Sequence, residues 1–399
     1  MTTSKAVIVG ASHAGAQVAA SLRQERWPGE IILIGNESAL PYQRPPLSKE
    51  YLAGKSTLEA LAIRNREFYD KHGIQLVDGT VSAIDRGQGR VVLESGESLT
   101  YDKLALCVGA RPKMLTVPGA DLRGVFYLRT AADVELIRQA AAAASRVIVI
   151  GGGYIGLETA ASLRGFGLEV AVVEAADRVL ERVTDPCVSA FFERLHREEG
   201  VAIQTSSHVQ ALRESSRGLE VVLRDSSSIA ADLVVVGIGV EPNVALAADA
   251  GLAIDNGILI DANARTTDPN IFAAGDCASH DSARYGQRLR LEAVSSAGEQ
   301  AKVAAAAMCG KSREIDALPW FWSDQYNVKL QIAGLNHGYD EVVVIGDPAR
   351  DREFSCFYLL QGELVAADCV NRPRDFIFSK RAISQGARIT REELMALTV

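Results

Sequence analysis

Gly151, Gly153 and Gly156 follow the apolar run Val147–Ile150 and open a stretch of small residues at helical spacing. Glycines so spaced permit a tight turn and a close backbone approach to a pyrophosphate, and the helix start behind them offers free N–H groups and the positive end of a dipole. A G-x-G-x-x-G alone is weak evidence, because glycine turns before helices are common. The strand before it, the helix after it and Glu174 at the end of the following strand Val170–Val173 make it a dinucleotide fingerprint. A carboxylate at Glu174 accepts both ribose hydroxyls of NADH and repels a 2′-phosphate, which predicts NADH over NADPH. Arg178 and Arg182 stand close by in sequence and could offset part of that repulsion, so some use of NADPH stays open.

The chain carries this unit twice. Residues 5–23 align without a gap on residues 146–164, from Gly10 on Gly151 through Arg23 on Arg164. The first copy keeps Gly10 and Gly15 but has Ser12 where the middle glycine stands, and its second strand, Ile31–Ile34, runs into Gly35-Asn36-Glu37. Either Asn36 or Glu37 could hold a ribose. His13, inside the turn, reads as a turn residue with its side chain away from the phosphates, and no other histidine sits in an acid–base pattern.

The elements that must carry these turns fit a folded, multidomain chain. Its 399 residues favour two or three domains. A charged fraction of 23% argues against intrinsic disorder. The net charge of −8 disfavours nucleic acid and anionic membrane surfaces as partners. No window approaches a membrane span, and the start has no signal-peptide apolar region, so a cytoplasmic location is expected. The six cysteines are scattered, with no C-x-x-C or metal-ligand spacing, so reduced thiols and no metal site are expected.

Between the two copies, Val91–Leu93 and Leu104–Val108 read as strands, with Gly109–Pro112 as a turn. After the second copy, Leu233–Val236 leads into Gly237-Ile238-Gly239, and Ile271–Ala274 leads into Gly275-Asp276 ahead of a helix over 295–308. Beyond Gly310 the strand patterns Val328–Ile332, Glu341–Val344, Phe354–Leu360 and Leu364–Val370 predict an antiparallel α+β domain. The fold class is thus α/β, with two Rossmann-like dinucleotide-binding domains and a C-terminal α+β domain.

Four motifs add to this reading: Pro45-Pro46-Leu47-Ser48-Lys49, Gly151 to Glu158, Thr267-Asp268-Pro269 with Ala274-Gly275-Asp276, and Pro319-Trp320-Phe321-Trp322-Ser323-Asp324-Gln325. Together they resemble the two-dinucleotide FAD flavoprotein reductases, and within them the ferredoxin reductases of putidaredoxin and aromatic-ring dioxygenase systems, over nearly the whole chain. The resemblance implies FAD at the first unit and NADH at the second. It implies an FAD domain over 1–112 and 245–312, an NAD domain over 113–244 and an interface domain over 313–399. Gly10 and Gly15 frame the first turn, and Ala14, Asn36 with Glu37, Lys49, Val81, Arg129 and Asp276 match flavin-site positions. Val294, entering the 295–308 helix, can present its backbone N–H to the flavin pyrimidine edge. Tyr154 and Ile155 inside the fingerprint, with Arg182 and Gly239, complete the nicotinamide-nucleotide set.

The same resemblance pairs Lys49 with Glu158 beside the flavin ring and turns Trp322 towards the iron–sulfur partner, as an electron exit. Read from the residues alone, Lys49 is a solvated loop lysine, Glu158 a helix-surface acid, and both tryptophans are packing residues. Alternation along a strand is expected to turn one of Trp320 and Trp322 to the core and the other away. The implied activity is an NADH:ferredoxin oxidoreductase: hydride from NADH to FAD, then single electrons to a 2Fe-2S ferredoxin that feeds a terminal oxygenase, by a monomer or weak dimer. Two alternatives are a self-contained NADH oxidase or peroxidase, and a redox-gated interaction flavoprotein of the apoptosis-inducing-factor type. Residues 38–55 contain no cysteine, which removes thiol chemistry from that position. Over 371–391, Arg372, Arg374, Lys380, Arg381, Arg388 and Arg391 face only Asp375, a run that reads either as a solvated helix face or as a docking patch for an acidic ferredoxin.

Overall fold

The computed structural model describes residues 4–216 and 218–396. Its elements gather in two compact units. One holds the residues up to Arg44, Leu58–Arg111 and Glu241–Ala317; the other holds Pro45–Thr57, Pro112–Val240 and the residues from Leu318 on.

The first unit is built on a five-stranded parallel sheet, in the order Ile271–Ala273, Lys103–Leu106, Lys5–Val9, Glu30–Gly35, Ile74–Asp78. Parallel strands covered on both faces are near-continuous apolar runs, and Ala6–Val9, Ile31–Ile34 and Leu104–Leu106 are buried end to end. Helix His13–Gln24 packs against helix Val294–Met308. Their buried faces are largely alanine, which lets two helices approach closely. An antiparallel meander, Val81–Asp85, Arg90–Leu93 and Ser98–Thr100, belongs to the same unit.

The second unit repeats the plan with a parallel sheet in the order Val201–Gln204, Glu169–Val173, Arg146–Ile150, Leu233–Val236, Val125–Tyr127. The register is the same in both copies: Gly10 N–H donates to the Ile34 carbonyl and Gly151 N–H to the Val173 carbonyl, each at 2.8 Å. The C-terminal residues form an antiparallel sheet in the order Trp320–Gln325, Val328–Gly334, Glu363–Val370, Phe354–Leu360, Glu341–Gly346. Helix Pro373–Ser384 lies on it, over a core that includes Phe357, Leu364, Phe376 and Ile383. The expected fold class, two Rossmann-like sheets and an antiparallel α+β domain, is the one this chain adopts.

One local expectation changes. Gly109–Pro112 is a turn only at Gly109, whose φ is +64°, and continues as the short strand Ala110–Pro112. Proline is tolerated at a strand end, where no ladder N–H is missed. Among the described residues, no helix is long and apolar enough to cross a membrane.

Candidate active site

Helix starts single out the candidate nucleotide positions. Six helices among the described residues run longer than ten residues. Those beginning at Ala131 and Pro186 are capped by the Thr130 and Asp185 side chains, and the one beginning at Pro373 has Asp375 in its first turn. The remaining three, His13–Gln24, Tyr154–Arg164 and Val294–Met308, have neither a side-chain cap nor an acid in the first turn. Such an end leaves N–H groups and a positive dipole end for an anion. These are the three helices at which the family resemblance expects two pyrophosphates and the flavin pyrimidine edge.

In the first unit Gly10 (φ +107°) lies so close to the Cys107 carbonyl that a Cβ there would collide with backbone, and Gly15 abuts the Gly10 carbonyl in the same way. Gly275, at the end of strand Ile271–Ala273, sits where a Cβ would come within 3.1 Å of Ala14 and 3.8 Å of Ala297. Ala14, Asp276 and the first turn behind Val294 are therefore neighbours. Gln300 Oε1 accepts from Gly275 N–H at 2.8 Å and fixes that corner. Asn36 is exposed, one residue beyond Gly35. Glu37 is half-buried and accepts from Tyr42 Oη and Arg44 Nη2. Val81 is buried two residues after Gly79, whose N–H donates to the Gly35 carbonyl at 2.8 Å. Arg44, which the sequence did not single out, also donates from Nε to Ser12 Oγ at 3.3 Å, so a guanidinium stands at the departure from the glycine pattern.

In the second unit Gly151 (φ +110°) abuts the Gly237 carbonyl and Gly156 abuts the Gly151 carbonyl, so both are required by the fold. Gly153 differs: a Cβ there would meet no atom within 4 Å. The space in front of the helix start is open there. Tyr154 and Ile155 begin the helix. Glu174 accepts from the Gly152 N–H and, at 2.7 Å, from the Ala176 N–H, which places its carboxylate against the turn. Arg178 is engaged elsewhere, donating to the Thr184 carbonyl, Ser189 Oγ and the Glu181 carbonyl. Arg182 lies beside Gly239, where a Cβ would come within 3.6 Å of Nη2. Arg129 precedes helix Ala131–Ala143, its N–H donating to Asp133 at 3.0 Å.

Lys49 and Glu158 are brought together, both in the second unit. Lys49 Nζ lies 2.7 Å from Glu158 Oε2, with the two side chains 11% and 1% exposed. Ser48 Oγ donates to the same oxygen at 2.5 Å and Ser323 Oγ to Oε1 at 2.6 Å. Burial pushes the Glu158 carboxyl up, while Lys49, Ser323 and Ser48 hold it down. The chain of contacts continues inward. Gln325 Nε2 donates to Ser323 Oγ at 3.1 Å, and Gln325 Oε1 lies 2.8 Å from His196 Nε2. His196 Nδ1 lies 3.1 Å from Tyr326 Oη. The acceptor on Gln325 assigns the proton to Nε2, and burial pushes the imidazole down to about 4. Ser323 and Gln325 were within reach of the strand alternation; His196 was not, because it meets Gln325 across 129 residues.

Trp320 and Trp322 do not take opposite faces. Residues i and i+2 of a strand share a face, and the two rings stack with centroids 5.6 Å apart. Lys380 Nζ lies 4.8 Å from the Trp320 ring centroid, a cation–π contact from helix Pro373–Ser384. Strand Trp320–Gln325 thus directs Ser323 to the buried carboxylate and turns Trp322 to its other, half-exposed face. In the basic run, Arg372 is spent on Asp375 and Arg391 on Glu341. Arg374, Arg381 and Arg388 are exposed, as is Ile377.

The pyridine nucleotide-disulphide oxidoreductase family model matches residues 4–306, and a reductase C-terminal domain model matches residues 320–399. Putidaredoxin reductase of Pseudomonas putida is 46% identical over 385 residues, covering 95% of this chain and 91% of its own. The ferredoxin–NAD(+) reductase component of the anthranilate 1,2-dioxygenase system of Burkholderia cepacia is 42% identical, covering 100% and 98%. The crystal structure of the covalent putidaredoxin reductase–putidaredoxin complex superposes with a TM-score of 0.94 at 43% identity, covering 100% of this chain and 99% of that one. The chain belongs to the pyridine nucleotide-disulphide oxidoreductase family, in its ferredoxin reductase branch.

Proposed function

We propose that this protein is the NADH-dependent reductase of a two-iron ferredoxin that supplies a terminal oxygenase. The family's cofactors are FAD and NAD(P)H, and the uncapped, acid-free starts of helices His13–Gln24, Tyr154–Arg164 and Val294–Met308 fit two dinucleotides and a flavin edge. FAD, when bound, supplies the exchange between paired electrons from a nicotinamide and single electrons for an iron–sulfur cluster.

The chain's own residues supply binding, orientation and charge. Gly153 leaves room for a pyrophosphate, and Glu174 favours the unphosphorylated ribose of NADH. Lys49 and Glu158 hold a compensated charge pair in a dry setting, where a change of one charge nearby is felt strongly. Trp322 and the exposed Arg374, Arg381 and Arg388 form the face for a small acidic protein. The observation that carries the reading is strand Trp320–Gln325, which links the Glu158 carboxylate on one face to the stacked tryptophans on the other.

The test is anaerobic stopped-flow mixing with NADH, followed by addition of a two-iron ferredoxin. Rapid loss of the oxidised-flavin absorbance and then ferredoxin reduction are expected; bleaching without transfer to any of several ferredoxins overturns the assignment. The nucleotide preference is tested with Glu174→Arg, which should lower kcat/KM for NADH and raise it for NADPH. An unchanged preference removes Glu174 from the site.

A further inference from the structure

Cys187 and Cys356 lie 169 residues apart in sequence, yet their Sγ atoms are 2.9 Å apart. Both belong to the second unit. Cys187 is in the first turn of helix Pro186–Glu198, where its N–H donates to Asp185 Oδ1 at 2.9 Å. Cys356 is on strand Phe354–Leu360, an interior strand of the C-terminal sheet, directly opposite Asp368. Cys187 is half-buried, and Cys356 is fully buried. Bond formation requires the two sulfurs to close by less than about 1 Å to reach roughly 2.05 Å.

We infer that Cys187 and Cys356 are a peroxide-oxidisable thiol pair that closes into a reversible disulfide. Cys187 is the entry point, because solvent reaches it. Its thiol reacts with hydrogen peroxide to give a sulfenic acid and one water. The Cys356 sulfur then attacks the Cys187 sulfur, the S–O bond breaks, and the Cys356 proton leaves with the hydroxide as a second water. The two sulfurs lose two electrons and the peroxide gains them. The hydrogen bond with Cys187, and then burial, push the Cys356 thiol up, so its proton leaves only as the S–S bond forms.

The crosslink ties the helix after the Glu174 loop to the sheet that carries Trp322. That loop is already clamped to the helix, since Ser189 Oγ accepts from Arg178 Nη1 at 2.5 Å and donates to the Val179 carbonyl at 2.6 Å. The pair lies far along the chain from residues 38–55, where the family's redox-active thiols are absent here. The remaining cysteines provide internal controls. Cys309 is half-buried, like Cys187. Cys107 and Cys277 are near each other but both buried.

The experiment exposes the purified full-length protein to a small excess of hydrogen peroxide, alkylates free thiols under denaturing conditions, and maps the unreduced digest by mass spectrometry. A Cys187–Cys356 peptide pair is expected, two hydrogens lighter than the sum of its parts and reversed by dithiothreitol, with four of the six thiols still alkylated. The oxidised protein should melt several degrees higher than the reduced one, because a closed loop this long restricts the unfolded chain. Cys356→Ser should leave Cys187 as a sulfenic acid trapped by dimedone, and Cys187→Ser should show no crosslink. Wild-type mapping does not depend on either variant folding. Cys187 sulfenylated while Cys356 remains alkylated, or a crosslink between Cys107 and Cys277 instead, overturns the proposal.

Discussion

Ser323 Oγ holds Glu158 Oε1 at 2.6 Å while Lys49 Nζ holds Oε2 at 2.7 Å, so a single buried carboxylate is gripped by a residue of the C-terminal sheet and by one from the loop after Arg44. The carboxylate has almost no solvent, and its charge depends on these donors.

Removing them should act in a graded way. Ser323→Ala leaves Oε1 without its donor and should cost about 1–3 kcal/mol in urea unfolding. Glu158→Gln leaves the Lys49 ammonium unpaired and should cost more, about 3 kcal/mol or above. Both should slow reduction by NADH. Equal, negligible losses would mean that the three groups do not share charge in solution.

The glycine turn separates fold from ligand. Gly156→Ala drives a Cβ into the Gly151 carbonyl and should impair folding, whereas Gly153→Ala meets nothing within 4 Å. Gly153→Ala should therefore melt with the wild type but bind NADH roughly tenfold more weakly, by obstructing the pyrophosphate. Titration of the nucleotide against both variants checks this; unchanged NADH affinity in Gly153→Ala would place the pyrophosphate elsewhere.

Two buried groups should shape stability against pH in opposite senses. Burial pushes Asp368 up to about 7, so the folded state holds its proton more tightly, and stability falls as pH rises from about 4 to 7. Burial pushes His196 down to about 4, so the unfolded state binds the extra proton, and stability rises with pH from about 4 to 6.5. In the wild type the two slopes partly cancel. Asp368→Asn should expose the rising slope and His196→Gln the falling one, in denaturant midpoints measured from pH 5 to pH 8. If neither substitution alters the slope, neither group titrates as its burial implies.

The exposed arginines should affect only the partner step. Changing Arg374, Arg381 and Arg388 together to Glu should lower kcat/KM for ferredoxin about tenfold at low salt and flatten its dependence on ionic strength. Reduction by NADH should be unaffected. Loss of both steps would show that the substitutions disturb the fold rather than docking.

Much of this architecture was legible in one dimension. Gly10, Gly151 and their partners announce a dinucleotide turn because glycine is the residue that accepts both positive φ and a neighbouring carbonyl where a Cβ would stand. Runs such as Val147–Ile150 announce parallel strands because both faces must be covered. Even so, local pattern misread the tryptophans, where a period of two puts Trp320 and Trp322 on the same face.

By itself, then, the sequence determined the paired nucleotide turns, the antiparallel C-terminal sheet and the identity of the charged residues, since backbone sterics and apolar periodicity act over a few residues. Only the tertiary structure decided which donors Glu158 meets, that Arg178 is spent on its own loop, that His196 joins a buried hydrogen-bond chain and that two of six thiols touch. Ser323 reaches Glu158 across 165 residues and Cys356 reaches Cys187 across 169. Such meetings are set by how strands register and elements pack, and a buried polar group finds its partner only once that packing has removed water from both.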